Sequence, residues 1–310
     1  MSKHGGDLAA FERYRRASER ATDQIIRHYS TSFGAATRLL GSRHRQHVRN
    51  IYGLVRIADE LVDGVAEAAQ LSPQEQRGRL DELERETEEA LMSGYSSNPI
   101  VQAFAVTARA AGISGSLTQP FFASMRMDLA DTSATEQHTD AHPGAIRHFD
   151  VSTHADYVYG SAEVVGLMCL RVFTRDQHLS PDEVSALEHG ARSLGAAFQN
   201  VNFLRDLADD TERLGRSYLS DTSAFTSSDK ERWVQTIRNQ LAEARASMPL
   251  LPSDARLAVD CAHRLFACLN EKLAAIPVEE LMTRRVRVSN PKKVALIARS
   301  FSETLRMKTK

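Results

Sequence analysis

The chain has 310 residues, 42% of them apolar, and a formal net charge of -1 from 39 Lys and Arg against 40 Asp and Glu. That composition supports a sizeable core, and near-neutrality gives no general attraction to nucleic acid, so no nucleic-acid partner is expected. The polar start, Met1 to Tyr14, has no apolar h-region, and the apolar run Val164 to Leu170 is far too short to cross a bilayer. These features predict a cytoplasmic protein that makes at most peripheral contact with the inner face of a membrane.

Apolar residues recur at helical spacing through Phe11–Tyr29, Val48–Val65, Leu80–Leu91 and Val101–Ala111. They do so again through Tyr157–Phe173, Ala186–Leu207, Trp233–Leu241 and Leu257–Ile276. Ser72-Pro73 and Ser180-Pro181, each followed by acids, place Pro at the first helical position with negative charge in the first turn. Gly41, Gly112 and Gly215 fall near helix ends. No run of alternating strands and hairpin turns is present, so the fold class is all-α, in a single domain over 1–310 with a core at about 20–300. The Asp-, Thr-, Ser- and His-rich stretch 130–155, with Pro143-Gly144 inside it, predicts an exposed loop or lid. Its His138, His142, His148 and His154 match no tight zinc spacing and are expected to be solvated. The cysteines, Cys169, Cys261 and Cys268, form no CxxC motif; Cys261 and Cys268 share a helical stripe and are expected to be buried and reduced.

Two segments carry chemistry. In Tyr52–Gly64, helical spacing lines up Tyr52, Arg56, Asp59 and Asp63 on one stripe, leaves Leu54, Ile57, Leu61 and Val62 to pack, and lets Gly64 stop the helix. In Gln199–Asp210, Asn202, Asp206 and Asp210 stand at i, i+4 and i+8, Gln199 continues the face, and Phe203, Leu204 and Leu207 pack. Aspartates four apart repel, and Asp is a poor helix former, so neither stripe helps its helix. A divalent cation reverses that cost. Mg²⁺ takes one or two carboxylates and fills its shell with water and phosphate oxygen. Facing acidic helices would therefore clamp a metal-bound diphosphate, with Arg56 and Arg205 placed to bond its oxygens. A solvated acidic face in salt bridges with its arginines is the competing reading.

These residues resemble the squalene/phytoene synthase family from about Tyr29 to Arg299. Tyr29-Ser-Thr-Ser-Phe33, Arg56–Asp63, Ser124-Met-Arg-Met-Asp128-Leu, Tyr157–Met168 and Gln199–Asp210 with its trailing Leu214–Leu219 are each similar to a family motif. Within the family they look most like bacterial, above all actinobacterial, phytoene-forming members. The resemblance implies an isoprenoid-synthase-type helical bundle around a central apolar cavity. It implies metal ligation by Asp59, Asp63, Asn202, Asp206 and Asp210, with Mg²⁺ or Mn²⁺ as the ion and no NADPH. It implies substrate contacts from Tyr29, Ser30, Thr31, Ser32, Tyr52, Arg56, Gln199 and Arg205, and a place for Tyr157 near the reacting carbons. Phe266 stands where some relatives carry a cavity Tyr, so any hydroxyl role there is absent. Gly160, Ser161, Ala162 and Gly166 are small enough to leave room for a prenyl chain, and small residues serve equally for close helix packing.

The implied reaction joins two geranylgeranyl diphosphates head to head, through a cyclopropyl diphosphate, to phytoene. Squalene or dehydrosqualene formation from farnesyl diphosphate is the nearest alternative, and a non-catalytic helical binding protein is the alternative of another class. Lys292 to Lys310 mixes basic and apolar residues, as either a packed terminal helix or a membrane-surface helix does.

Overall fold

The computed structural model describes residues 3–129, 147–148, 151–207, 216–217, 219, 225–283 and 286. The described chain is all-α apart from one two-residue pairing. The helices run in the order α1 (Lys3–Tyr29), α2 (Thr31–Thr37), α3 (Ser42–Val62), α4 (Val65–Ala68), α5 (Pro73–Ser93), α6 (Pro99–Ala111) and α7 (Gly115–Met127). They continue with α8 (Val151–Val158), a π turn (Tyr159–Glu163), α9 (Val164–Thr174) and α10 (Pro181–Arg205). After these come α11 (Ser227–Ser247), a 3-10 turn (Met248–Leu250), α12 (Ser253–Ala274) and α13 (Val278–Leu281). Strands β1 (Arg147–His148) and β2 (Arg216–Ser217) pair in parallel, Arg147 with Arg216 and His148 with Ser217. The alternating pattern of a sheet is absent from the sequence around both, so this short pairing was not foreseen.

The chain divides into two compact units: Met1–Ala130 with Met168–His178, and Asp131–Leu167 with Leu179–Lys310. In the first unit α1 packs on α3 and α6, and α5 packs on α6 and α7. Ile51, Leu54, Leu80, Phe104, Phe121, Phe122 and Met168 are its largest fully buried side chains. Burying each such side chain contributes roughly 1.5–3 kcal/mol. A buried polar cluster is paired within itself, as a dry interior favours. Thr22 Oγ1 and Gln46 Nε2 both donate to Asn50 Oδ1, and Asn50 Nδ2 donates to Thr107 Oγ1 at 3.0 Å, joining α1, α3 and α6. Arg126, in the family-like segment at the end of α7, reaches back to α5, bonding Asp81 at 2.7 Å and also Glu84. The residues after Met168 belong to this unit through Phe173, edge-on to His44, and Arg175, which donates to the Arg43 carbonyl at 2.8 Å.

Capping explains the helix starts. Ser72 and Ser180 each head a capping box, with Glu75 and Glu183 returning the bond and Pro at N1. Gly41 precedes α3 and Gly112 ends α6 in the left-handed region, whereas Gly215 lies outside the described residues. Helix α7 has no clear apolar period and contains Pro120, which is why the sequence does not announce it.

In the second unit α10 packs on α11, α12 and the π turn, around Leu187, Leu204, Ile237, Leu273 and Leu281. The expected single helix Tyr157–Phe173 is broken by the π turn. The cysteines are free thiols; burial pushes Cys169 up to about 12 and Cys261 up to about 11, so both stay protonated. Cys268 is half-buried rather than buried, which corrects that expectation. Most of the loop at 130–155 and all of 292–310 lie outside the described residues, but Val151–Ala155 is helical and corrects the loop boundary.

His154 corrects the expectation of a solvated histidine. It is buried on α8, its ring centroid 4.7 Å from that of Trp233 and 5.9 Å from that of Phe203. Burial lowers its pKa from 6.5 to about 4, with the Asn200 side chain pulling the other way. The unfolded chain therefore binds this proton more readily than the folded one. Its contribution is complete above about pH 6.5, falls as the pH drops toward 4, and is level below that. The loss amounts to roughly 3 kcal/mol. Urea unfolding between pH 7 and 4 is expected to show this decline, and His154→Phe is expected to make it shallower, with His47 and His263 still contributing; an equally steep decline in the variant excludes His154 as a source.

Candidate active site

In the first unit, three chain segments meet at the end of α3. Ser30 caps α2 by accepting the Phe33 N–H at 3.1 Å, and its hydroxyl also bonds Tyr52. Phe33 and Tyr52 stack with centroids 5.6 Å apart, and burial raises the Tyr52 pKa above its ordinary value. One turn beyond Tyr52, the Arg56 guanidinium lies 4.5 Å from the Tyr29 ring centroid, a cation–π contact. Arg56 Nη1 donates to Asp59 Oδ2 at 2.6 Å, and Nη2 reaches Glu60. Tyr29, Ser30, Tyr52, Arg56 and Asp59 are thus brought together from α1, α2 and α3. Thr31 and Ser32 begin α2, and their side chains lie outside the described residues. Leu54 and Val62 are buried as expected, whereas Ile57 and Leu61 are only half-buried.

Asp63 is the residue on which α3 ends: its N–H donates to the Asp59 carbonyl at 2.9 Å. Gly64 follows at φ 144, a backbone region that disfavours a side chain, which fixes the stop where the sequence places it. Asp59 and Asp63 therefore sit at the negative end of the helix dipole, where each carboxylate costs about 0.3–1 kcal/mol and a cation is favoured.

The second unit repeats this arrangement. Helix α10 ends at Arg205, and Asp206 caps it, donating its N–H to the Asn202 carbonyl at 2.9 Å. The helix is interrupted at Asp206 and Leu207 is helical again, whereas Ala208, Asp209 and Asp210 lie outside the described residues. Arg205 grips Asp206 with both arms of its guanidinium, Nε to Oδ1 at 2.8 Å and Nη2 to Oδ2. Gln199 and Asn202 are half-buried on the same helix, and Phe203, Leu204 and Leu207 are buried as expected. Tyr157 is buried with its ring centroid 5.8 Å from that of Phe203. Phe266 stacks face to face on Phe198, centroids 3.8 Å apart; Phe198 was not singled out by sequence, since nothing in its spacing separates it from a packing residue.

Both arginines are thus paired with carboxylates of their own motifs. Two glycines here serve close helix packing. A Cβ on Gly166 would meet the Ala191 carbonyl oxygen at 2.5 Å, and one on Gly195 would meet the Ala162 carbonyl oxygen at 2.5 Å. Of the two readings of Gly166, room for a chain and close helix packing, its surroundings favour packing.

The donor set suits a hard cation. Asp59, Asp63 and Asp206 offer carboxylate oxygen and Asn202 offers amide oxygen, with no thiolate or imidazole among them. Among the described residues no three His, Cys, Asp or Glu side chains cluster to hold a metal unaided. Mg²⁺ needs only one or two protein carboxylates when phosphate completes its shell, so each helix end fits that share. No described helix is long and apolar enough to cross a membrane.

The fold is that of an all-helical isoprenoid synthase. It matches a dehydrosqualene synthase in complex with ligand at a TM-score of 0.70 and 23% identity, covering 97% of this chain and 99% of that one. Residues 26–226 match the squalene/phytoene synthase family, and the chain belongs to that family. It is 29% identical over 232 residues to a chloroplastic phytoene synthase of an Oncidium hybrid cultivar, covering 72% of this chain and 51% of that protein, so it spans about half the relative's length. It is 28% identical over 293 residues to the 15-cis-phytoene synthase of a Synechocystis species, covering 87% of this chain and 80% of that protein.

Proposed function

We propose that the chain is a prenyltransferase that condenses two geranylgeranyl diphosphates head to head to phytoene; its Oncidium and Synechocystis relatives are named as phytoene synthases. The observation that carries the reading is the gathering of Tyr29, Ser30, Tyr52, Arg56 and Asp59 at a helix end that two carboxylates make receptive to a cation. In this proposal the chain works as a single catalytic domain over 1–310.

In the first step the allylic C–O bond of one substrate breaks and diphosphate departs. The double bond of the second substrate attacks the cation, and loss of a proton closes the cyclopropane. In the second step the remaining diphosphate departs, the carbon skeleton rearranges, and a second proton is lost. Two diphosphates and two protons leave in all, with no hydride added, so the route consumes no NADPH. Asp59, Asp63, Asn202, Asp206 and Asp210 would hold Mg²⁺, or Mn²⁺ in its place, and the bound ion supplies charge neutralisation on the leaving diphosphate. Arg56 and Arg205 exchange a carboxylate for diphosphate oxygen, Ser30 and Tyr52 donate hydroxyls, and Gln199 orients the second diphosphate. Tyr157, buried beside Phe203, shields the cation from water and sits near the carbons that lose protons. The protein works in the cytoplasm, with contact to the inner face of the membrane at most peripheral.

Incubation with C15 and C20 diphosphates and Mg²⁺, followed by product mass analysis, is expected to give a C40 hydrocarbon from the C20 substrate. A C30 hydrocarbon instead would assign the chain to dehydrosqualene or squalene formation. Absence of any diphosphate release would leave only a binding protein.

A further inference from the structure

We propose that Glu60 is a positioning residue: it keeps the Arg56 guanidinium over Tyr29 when a cation takes Asp59. This inference rests on the metal-site reading of Asp59. Among the described residues, three groups bond or stack on the Arg56 guanidinium. Asp59 accepts from Nη1 at 2.6 Å, Glu60 pairs with Nη2, and the Tyr29 ring lies beneath, 4.5 Å from Cζ. Its Nε is buried and makes no hydrogen bond.

Asp59 cannot keep all of these arrangements once it ligates a metal. A carboxylate shared with a divalent ion is a poorer acceptor, and the ion repels the guanidinium. Arg56 then loses its bond on the Nη1 side, and a long side chain with five donors is free to leave. Glu60 prevents this because it holds the other arm. It is not itself one of the expected ligands, so its grip survives metal loading. Its side chain is only 19% exposed, which shields the ion pair from water and salt.

The plain alternative is an ion pair that merely stabilises α3. Helix physics argues against it. With Arg before Glu, the pair runs in the weaker i,i+4 order. Glu60 also lies in the last turn, where the dipole disfavours a negative side chain. Glu60 is thus poorly placed to stabilise the helix and well placed to hold Arg56 above Tyr29. With Glu60 in place, the guanidinium freed from Asp59 faces outward with its Nη1 arm available to a diphosphate oxygen arriving with the metal.

The test uses the full chain and inorganic pyrophosphate as the probe. Calorimetric titration is run with Mg²⁺ present, and Mn²⁺ binding without pyrophosphate is followed by electron paramagnetic resonance. Glu60→Gln is expected to weaken pyrophosphate binding about tenfold, the loss of roughly one charge-assisted hydrogen bond. It should leave Mn²⁺ binding within about twofold and raise KM more than it lowers kcat. Glu60→Asp, which restores the charge, should recover part of the loss. Wild-type pyrophosphate affinity in Glu60→Gln, with or without a lower melting temperature, overturns the inference and leaves the metal site standing. If Asp59→Asn binds Mn²⁺ and pyrophosphate as the wild type does, the metal-site reading itself fails and this inference with it.

Discussion

Asp59→Asn is expected to lower product formation by about 10²–10³-fold or more while the helical circular dichroism stays as it is. The substitution keeps the size and one oxygen of the side chain but removes the charge that a hard cation needs. Folding should hardly notice. Removing a carboxylate from the negative end of α3 recovers about 0.3–1 kcal/mol, and losing the Arg56 partner gives back about 0.2–0.5 kcal/mol. Asp206→Asn should behave alike, because Asp206 caps α10 as Asp63 caps α3 and holds Arg205 as Asp59 holds Arg56. The decisive comparison is diphosphate release against the melting temperature. Full release by either variant would leave its carboxylate as a surface ion-pair partner and nothing more. Activity and melting temperature falling together would point to a structural role.

Gly195→Ala is expected to destabilise the second unit markedly. The added methyl would lie 2.5 Å from the Ala162 carbonyl oxygen, 2.9 Å from its carbon and 3.0 Å from the Glu163 Cα. All three are backbone atoms, so no side chain can rotate out of the way. Either α10 or the π turn must shift. Overpacking of this kind costs about 1–3 kcal/mol, which lowers the melting temperature by several degrees. Gly166→Ala meets the Ala191 carbonyl oxygen at 2.5 Å and should act in the same direction. Gly78 is the matched control. It lies exposed on α5 with nothing within 4 Å of an added Cβ, so Gly78→Ala should stabilise by about 0.4–1 kcal/mol. Thermal melts of the three variants decide the matter. If Gly195→Ala melts with the wild type, α10 does not depend on that close approach.

The sequence exposes some of these features and hides others for physical reasons. Capping boxes at Ser72 and Ser180 are local, so four residues suffice to read them. The stop at Gly64 is local too. The stripe Tyr52, Arg56, Asp59 depends only on helical spacing, and it appears on α3 as expected. What the sequence could not show depends on distant partners. Whether Gly166 and Ala162 face a lipid chain or another helix is decided by the α10 residues opposite them, some thirty positions away in the chain. His154 reads as a loop residue because its neighbours before 150 are polar, yet its environment comes from Phe203 and Trp233. Arg56 is predicted to face a ligand from its place beside the aspartates. Its partner Glu60 escapes notice because an i,i+4 pair on a helix is ordinarily a surface ornament of little energetic weight.

The wide turn at Tyr159–Glu163 puts slack into the helical phase of the second unit. Such a turn accommodates one residue more than a regular helix would over the same rise. Deleting a single residue there would let the segment close into ordinary helix with its flanks still in phase, so Tyr157 and His154 would keep facing Phe203 and Trp233. The same deletion within regular helix would rotate everything upstream by roughly 100° about the axis. The extra residue therefore reshapes the backbone of the turn itself, where the Ala162 carbonyl meets Gly195, and spares the aromatic cluster.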